Sequence, residues 1–288
     1  MEVQKSKRVI EALLRAKSLE QRKIILSNLD KEEKQALFGE LYFERGTKLG
    51  ISLYDRYLSK FGGFYVPYNI AYLLVKNLNH PTVLDLGCAS GRFVRALKEL
   101  EVESYGVDVS SYALSKSDKK TRKYLSNIDI DTEELPFPKD YFDMAVAIDV
   151  LEHLVNIKHV LDEIKRVLKP GGLLLVTCPK PNSPDAFRDI THVNIWNRDM
   201  WVKTFSESGF QLLPLDVNYR EILKAHVDLL TASLDFGTRN IREIIKPLSE
   251  CRLAKSVLYA YLLLRHRLRK ALQILINSDY VFLLKTNN

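Results

Sequence analysis

Residues 83 to 93 read Val-Leu-Asp-Leu-Gly-Cys-Ala-Ser-Gly-Arg-Phe, an apolar run, a turn bracketed by glycines and the start of an amphipathic segment. This is the pattern of strand, loop and helix. Gly87 and Gly91 let the backbone turn sharply and approach a ligand with no Cβ in the way. The first N–H groups of the new helix favour an anionic or polar group beside them. Tyr105 to Val107 reads as a second strand, and Asp108 at its end follows the turn at the spacing of about twenty residues that places an acid on ribose hydroxyls in nucleoside-binding βαβ units. The glycines are spaced Gly-x-x-x-Gly, without the middle glycine that admits a pyrophosphate in dinucleotide binders. The expected ligand therefore carries no phosphates.

Four further stretches follow in order: Asp131 to Pro138 (Asp-Thr-Glu-Glu-Leu-Pro-Phe-Pro), Tyr141-Phe142-Asp143, Leu151-Glu152-His153-Leu154, and Arg166 to Gly172 (Arg-Val-Leu-Lys-Pro-Gly-Gly). With the glycine turn, this ordered set resembles the class I S-adenosylmethionine (SAM)-dependent methyltransferases, in particular the group related to quinone-biosynthesis and sugar- or lipid-modifying enzymes. The resemblance implies SAM as cofactor. It also implies an α/β fold: a doubly wound, mostly parallel seven-stranded sheet with an antiparallel last strand. By the same resemblance, Asp85 and the backbone around Gly87, Cys88, Ala89 and Gly91 hold the methionine end, Asp108 the ribose and Val109 the adenine face. Asp131 accepts from the adenine amino group with the Thr132 backbone beside it, and Ile148 and Asp149 face the methyl donor. Asp149 also stands three residues before Glu152, the spacing of a capping box, and the two roles are compatible.

Residues 1–60 read as helices outside the nucleotide fold, with stripes at Val9, Leu13, Leu14 and Ala16, at Ile24, Ile25 and Leu29, and at Ala36, Leu37, Leu41 and Tyr42, Asp30 capping the third. A lid over the cofactor cleft, a contact with a second subunit in a homodimer, and a structural prefix are the roles open to them. The core, 61–218, starts after Phe61-Gly62-Gly63-Phe64 and alternates strand with helix, which calls for a parallel sheet covered on both faces. Expected elements are a helix from Tyr68 to Leu78, a strand beginning at Pro81, a helix carrying Phe93, Val94, Leu97 and Leu100, a polar helix from Tyr112 to Tyr124, and a weak strand from Ile128 to Ile130. Then come a buried strand from Met144 to Ile148, a helix from Ile157 capped by Asn156 and stopped by Pro170, a strand from Leu173 to Thr177, a helix from Arg198 to Ser208 and a strand from Phe210 to Val217. Tyr280 to Leu284 matches the antiparallel last strand of the resembled fold, within 278–288, which makes 219–277 a helical insertion before it.

Charge singles out that insertion. The chain's 288 residues carry 43 Lys and Arg against 36 Asp and Glu, a net charge of +7, and residues 236–277 hold nine basic residues against two acids, which is the whole excess. Leu253, Val257, Leu258, Tyr261, Leu262, Leu264, Leu268, Leu272 and Leu275 supply an apolar face beside Arg265, Arg267, Arg269 and Lys270. Peripheral contact with an anionic membrane, a helical hairpin packed on its own domain or a twin subunit, and nucleic acid are the partners such a face admits. No aromatic-basic interleaving or zinc-finger spacing favours nucleic acid. Three cysteines without paired spacing argue against disulfides and a Cys-rich zinc site and suit a reducing cytoplasm. Met1 to Arg8 leads into no apolar h-region, so no signal peptide is expected. The longest apolar run, Leu258 to Leu264, falls short of the roughly 20 residues that span a bilayer.

Methyl transfer is an in-line displacement that requires alignment and no metal. A hydroxyl nucleophile benefits from a base, and histidine is the first candidate. His153 lies in the Leu-Glu-His-Leu motif, where a packed role competes. His192 lies in Asp189-Ile190-Thr191-His192-Val193-Asn194, on a loop expected to overhang the substrate, where an anchoring role competes. Asp149-Val150-Leu151-Glu152 is not the Asp/Asn-Pro-Pro-aromatic element of adenine or amide methyltransferases. Cys178 lacks the second Pro-Cys element of RNA cytosine enzymes and reads as a strand-end residue. The expected activity is O-methylation of a small molecule, glycan or lipid-linked intermediate; the competing readings are an RNA methyltransferase and a non-catalytic SAM-binding subunit.

Overall fold

Four helices open the chain in the computed structural model, which describes residues 2–52, 54, 66–183, 186–215 and 279–287. They are α1 (Glu2–Arg15), α2 (Leu19–Ser27), α3 (Lys31–Leu37) and α4 (Glu40–Leu49). Asp30 starts α3 with a complete capping box: its carboxylate accepts from the Glu33 amide while Glu33 accepts from the Asp30 amide. Helices this short are marginal alone in water. They are held by a shared core of Val9, Ile10, Leu13, Leu26, Leu37 and Ile51, joined by Ile190 and Val193 from far along the chain. Leu13 and Leu37 are fully buried, and burial of such a side chain contributes about 1.5–3 kcal/mol.

After α5 (Val66–Val75) come β1 (Thr82–Leu86), α6 (Arg92–Glu99), β2 (Glu103–Asp108), α7 (Ser111–Ser115), β3 (Leu125–Asn127), β4 (Phe142–Ile148), α8 (Ile157–Val167), β5 (Leu168–Pro179), α9 (Arg198–Glu207), β6 (Phe210–Leu213) and β7 (Asp279–Thr286). The seven strands run in the order β3-β2-β1-β4-β5-β7-β6. Strands β1 to β5 pair in parallel, and β7 runs antiparallel to both β5 and β6. The expected doubly wound sheet is the one observed, its antiparallel last strand slotted between two earlier ones. Alternating residues feed two cores: Leu84, Leu86, Ala145, Ala147 and Val176 pack with α8 and α9, while Val83, Met144, Val146 and Leu175 pack with α5 and α6. Strand order reverses at β1, which has β2 on one side and β4 on the other. That reversal opens a crevice at the strands' carboxyl ends.

Several expected elements move. In place of a helix from Tyr112 to Tyr124 there is α7 and a short turn at Arg122–Tyr124, because the Asp118 carboxylate accepts from the Lys120 and Thr121 amides and competes with helical bonding. The weak strand falls at Leu125–Asn127 instead of Ile128 to Ile130, since the Asn127 side chain donates to the carbonyls of Asp108 and Val109 and closes the pairing there. Strand β5 starts at Leu168, five residues before its expected start, and carries Pro170-Gly171-Gly172 within it. Asn156 precedes α8 without capping it through its side chain; its Nδ2 donates instead to the Asp131 carbonyl. The insertion assigned to 219–277, with its basic amphipathic face, lies outside the described residues. Among the described residues, no helix is long and apolar enough to cross a membrane.

Candidate functional site

The turn between β1 and α6 is built by backbone geometry. Gly87 and Cys88 both donate to the Val107 carbonyl, at 2.9 and 3.1 Å. Gly87 has φ +67°, and a Cβ there would lie 2.5 Å from Val150 Cγ2; Gly91 has φ +70°, and its Cβ would meet Leu125 Cδ1 at 2.6 Å. A Cβ at either glycine would therefore run into the protein's own side chains, and Gly87 itself lines the cavity described below. Ala89 between them also holds a positive φ of 48°, stabilised as its N–H donates to Asp108 Oδ2 at 2.8 Å.

Acids converge on this turn. Asp108 accepts from the amides of Ala89 and Ser110, and burial pushes its carboxyl up to about 6 against those two bonds. Asp85 on β1 is 1% exposed, and neither of its carboxylate oxygens has a hydrogen-bond partner among the described residues. Burial, with Asp108 nearby, pushes it well above the usual carboxylate range. Asp131 Oδ1 accepts from the Val155 and Asn156 amides, and its Oδ2 lies 3.2 Å from Lys34 Nζ. At the end of β4, Asp149 has φ +53°. Its amide donates to Thr177 Oγ1, which donates back to Asp149 Oδ1 at 2.6 Å. The following turn, Leu151–His153, starts from Val150, which makes no side-chain cap bond.

A cavity of about 860 Å³, mouth included, opens at these carboxyl ends. Its floor includes Gly87, Ala89, Asp108, Val109, Asp131, Asp149 and His153. Its other wall comes from the N-terminal layer: Leu26 of α2, Lys34 of α3, Tyr42 and Phe43 of α4, and Phe38 and Tyr54 beside them. The described residues of the N-terminal layer thus cover this side of the cleft. Polar anchors hold the cover down, including Lys34 to Asp129 at 2.8 Å, Gln35 to Asn127 at 2.7 Å and Tyr42 to Asp189 at 2.7 Å. Asp85, Cys88, Gly91, Thr132, Ile148 and His192 do not line the cavity. Asp85 and Cys88 are buried beneath the turn, and the Thr132 amide donates to Asp129.

The two histidines are in edge contact, ring centroids 4.7 Å apart. His153 is in the cavity wall, and burial together with His192 lowers its pKa to about 3. His192 stands behind it with Nδ1 2.6 Å from the Ala186 carbonyl and Nε2 3.9 Å from Glu152 Oε1. Glu152 is 1% exposed; burial, with Asp149 nearby, raises its carboxyl well above the usual range. These three residues bring one ligand-type atom each within 4.8 Å of one another, the one such group among the described residues. Burial pushes the thiols of Cys88 and Cys178 well up, which makes both poor nucleophiles.

The residues fit the cofactor that the motifs imply. Asp85 is a buried acid whose oxygens lack donors, Asp108 offers a carboxylate in the cavity wall, and Val109, Ile128 and Ile130 add apolar surface. Sequence reasoning missed Lys34, Asp129 and the aromatic cover. One signal for Lys34 was available: it sits one helical turn before Leu37, on the buried side of α3.

Comparison with known proteins agrees. Residues 84–176 match the family model described as methyltransferase domain. The chain is 32% identical over 162 residues to the uncharacterized protein MJ0638 of Methanocaldococcus jannaschii, covering 56% of this chain and 69% of that one. It is 35% identical over 112 residues to a demethylmenaquinone methyltransferase of Bacillus licheniformis, covering 37% of this chain and 47% of that enzyme. It is 32% identical over 97 residues to a ubiquinone biosynthesis O-methyltransferase of Bradyrhizobium sp., covering 33% and 38%. The chain thus spans less than half the length of these two named enzymes. With the sheet order, the glycine turn and the converging acids, these matches establish that the chain belongs to the class I SAM-dependent methyltransferases.

Proposed function

We propose that the enzyme methylates a hydroxyl group of a small molecule, glycan or lipid-linked intermediate. The observation that carries this reading is that His153 and Asp149 share one cavity with Asp108, under a cover of aromatic side chains. When bound, SAM supplies an electrophilic methyl carbon. Asp108 would accept from the ribose hydroxyls and Val109 would flank the adenine, with Asp85, buried beneath the turn, as the acid on the side of the methionine end. Phe38, Tyr42, Phe43 and Tyr54 exclude water and give an acceptor apolar faces, so the acceptor need only be aligned. A hydroxyl would become strongly acidic as its oxygen bonds the methyl carbon and that carbon's bond to the donor's sulfur breaks, releasing the thioether. His153, neutral because burial holds it at about 3, can therefore still take that proton. The names of the quinone-pathway relatives support a small-molecule acceptor.

The test incubates the purified protein with methyl-labelled SAM and fractionated cell extract. Label in a small-molecule or lipid fraction supports the proposal, and replacing His153 by Asn should lower incorporation about 10²- to 10⁴-fold while SAM affinity is retained. Label that enters only RNA, or none at all, sinks it.

A further inference from the structure

Three segments distant in sequence meet in one buried hydrogen-bonded chain behind His153. Thr191 Oγ1 lies 2.5 Å from Asp189 Oδ1, and the Thr191 amide donates to the same oxygen at 2.9 Å. Tyr42 donates to Asp189 Oδ2 at 2.7 Å. His153 Nδ1 lies 2.7 Å from Thr191 Oγ1. Thr191 is fully buried and Asp189 is 6% exposed.

The inventory of donors decides the direction of each bond. The Asp189 carboxyl is met by the Tyr42 hydroxyl, the Thr191 hydroxyl and the Thr191 amide; burial alone would raise it, but it is held below its usual value, with His192 the largest opposing influence. An ionised carboxylate only accepts, so Tyr42 and Thr191 each donate their hydroxyl hydrogen to it. With its one hydrogen committed, Thr191 Oγ1 can only accept from the imidazole. Nδ1 of His153 then carries the proton and Nε2 the lone pair; the ring lines the cavity, with the Asp149 backbone also facing it.

We infer that Asp189 and Thr191 are positioning residues that fix His153 as the Nδ1–H tautomer, so that Nε2 is the atom that receives the acceptor's hydroxyl proton. This deepens the proposed O-methylation and rests on it for the last step. The tautomer itself does not depend on that reading. Because Tyr42 comes from α4, docking of the N-terminal layer completes the coordination of Asp189.

The experiment is long-range ¹H–¹⁵N spectroscopy of the full chain labelled at histidine, with His153→Gln to assign the ring. Wild type should show His153 protonated at Nδ1 and bare at Nε2. Thr191→Ser should preserve this, whereas Thr191→Val and Asp189→Asn should each shift the tautomer ratio about tenfold toward Nε2–H, the size of one lost hydrogen bond. A purely structural role would lower the melting temperature of these variants and leave the tautomer unchanged. An Nε2–H ring in wild type, bonded to the Asp149 backbone that also faces it, overturns the inference; so does an unchanged ratio in Thr191→Val. Calorimetry of wild type with SAM is run alongside. Failure there removes the methyltransferase reading, and failure of the tautomer result removes only the positioning roles.

Discussion

Lys34 Nζ on α3 lies 2.8 Å from Asp129 Oδ2 and 3.2 Å from Asp131 Oδ2, with all three side chains buried. A residue of the N-terminal layer thus pairs with two acids beside the cavity. Lys34→Met leaves both carboxylates buried without their cation, which costs about 3–5 kcal/mol and lowers the melting temperature by roughly 10 °C. Adding Asp129→Asn should recover part of that loss. Scanning calorimetry of both variants checks this, and a melting temperature unchanged in Lys34→Met contradicts it.

Gly87→Ala should destabilise the fold by about 2–4 kcal/mol. The left-handed backbone at φ +67° and the 2.5 Å approach to Val150 Cγ2 contribute separately, through conformational strain and overpacking. Combining it with Val150→Ala relieves only the second. Urea titration of the four proteins of this cycle should therefore give a favourable coupling between the two sites; strict additivity would show that Val150 does not limit the turn.

With Asp108 as the proposed ribose acceptor, cofactor binding should depend on pH. Its folded-state pKa of about 6 exceeds the unfolded value near 3.9, so the folded state binds more protons between those values. The stabilisation tied to this proton is complete below the unfolded pKa and is lost as pH rises through about 6, a change of about 3 kcal/mol. Ribose hydroxyls donate to the ionised form, so SAM affinity moves the opposite way and should weaken by up to about tenfold per unit below pH 6. Calorimetry in buffers of different ionisation enthalpy at pH 5 and 7 should show proton release on binding at the lower pH. Affinity independent of pH would count against Asp108 as the ribose acceptor.

Asp85→Asn should stabilise the ligand-free protein at pH 7 and weaken SAM binding about 10- to 100-fold, the worth of a hydrogen bond to a charged group. Burial raises the folded pKa of Asp85, so its penalty grows as pH rises and vanishes in acid. The gain in melting temperature should accordingly shrink as pH is lowered. Loss of stability at pH 7 would show that the carboxylate has a structural partner.

Short-range chemistry was legible before any coordinates. Val83 to Phe93 has an apolar strand, obligatory glycines and a new helix within eleven residues, and Asp30 with Glu33 spells a cap whose atoms are close neighbours in the chain. The order of the motifs, through the resemblance they carry, placed the last strand antiparallel. Where side chains compete with backbone bonding, local pattern misled: Asp118 breaks the expected helix, and Asn127 closes β3 early.

The candidate site divides along the same line. Asp85 lies near the end of β1, Asp108 ends β2 and Asp149 follows β4, so backbone periodicity was enough to bring these three to one edge, whereas Asp131 lies four residues beyond β3. Lys34 meets Asp129 across 95 residues, and Tyr42 meets Asp189 across 147. Nothing in the sequence near either partner encodes such a meeting. The direction of the proton on His153 depends on a threonine 38 residues away. The sequence alone determined the sheet and the cofactor turn because both rest on local backbone preference. Only the folded chain decided what covers the cavity and which histidine faces it, because buried polar groups find their partners only once distant segments have packed together.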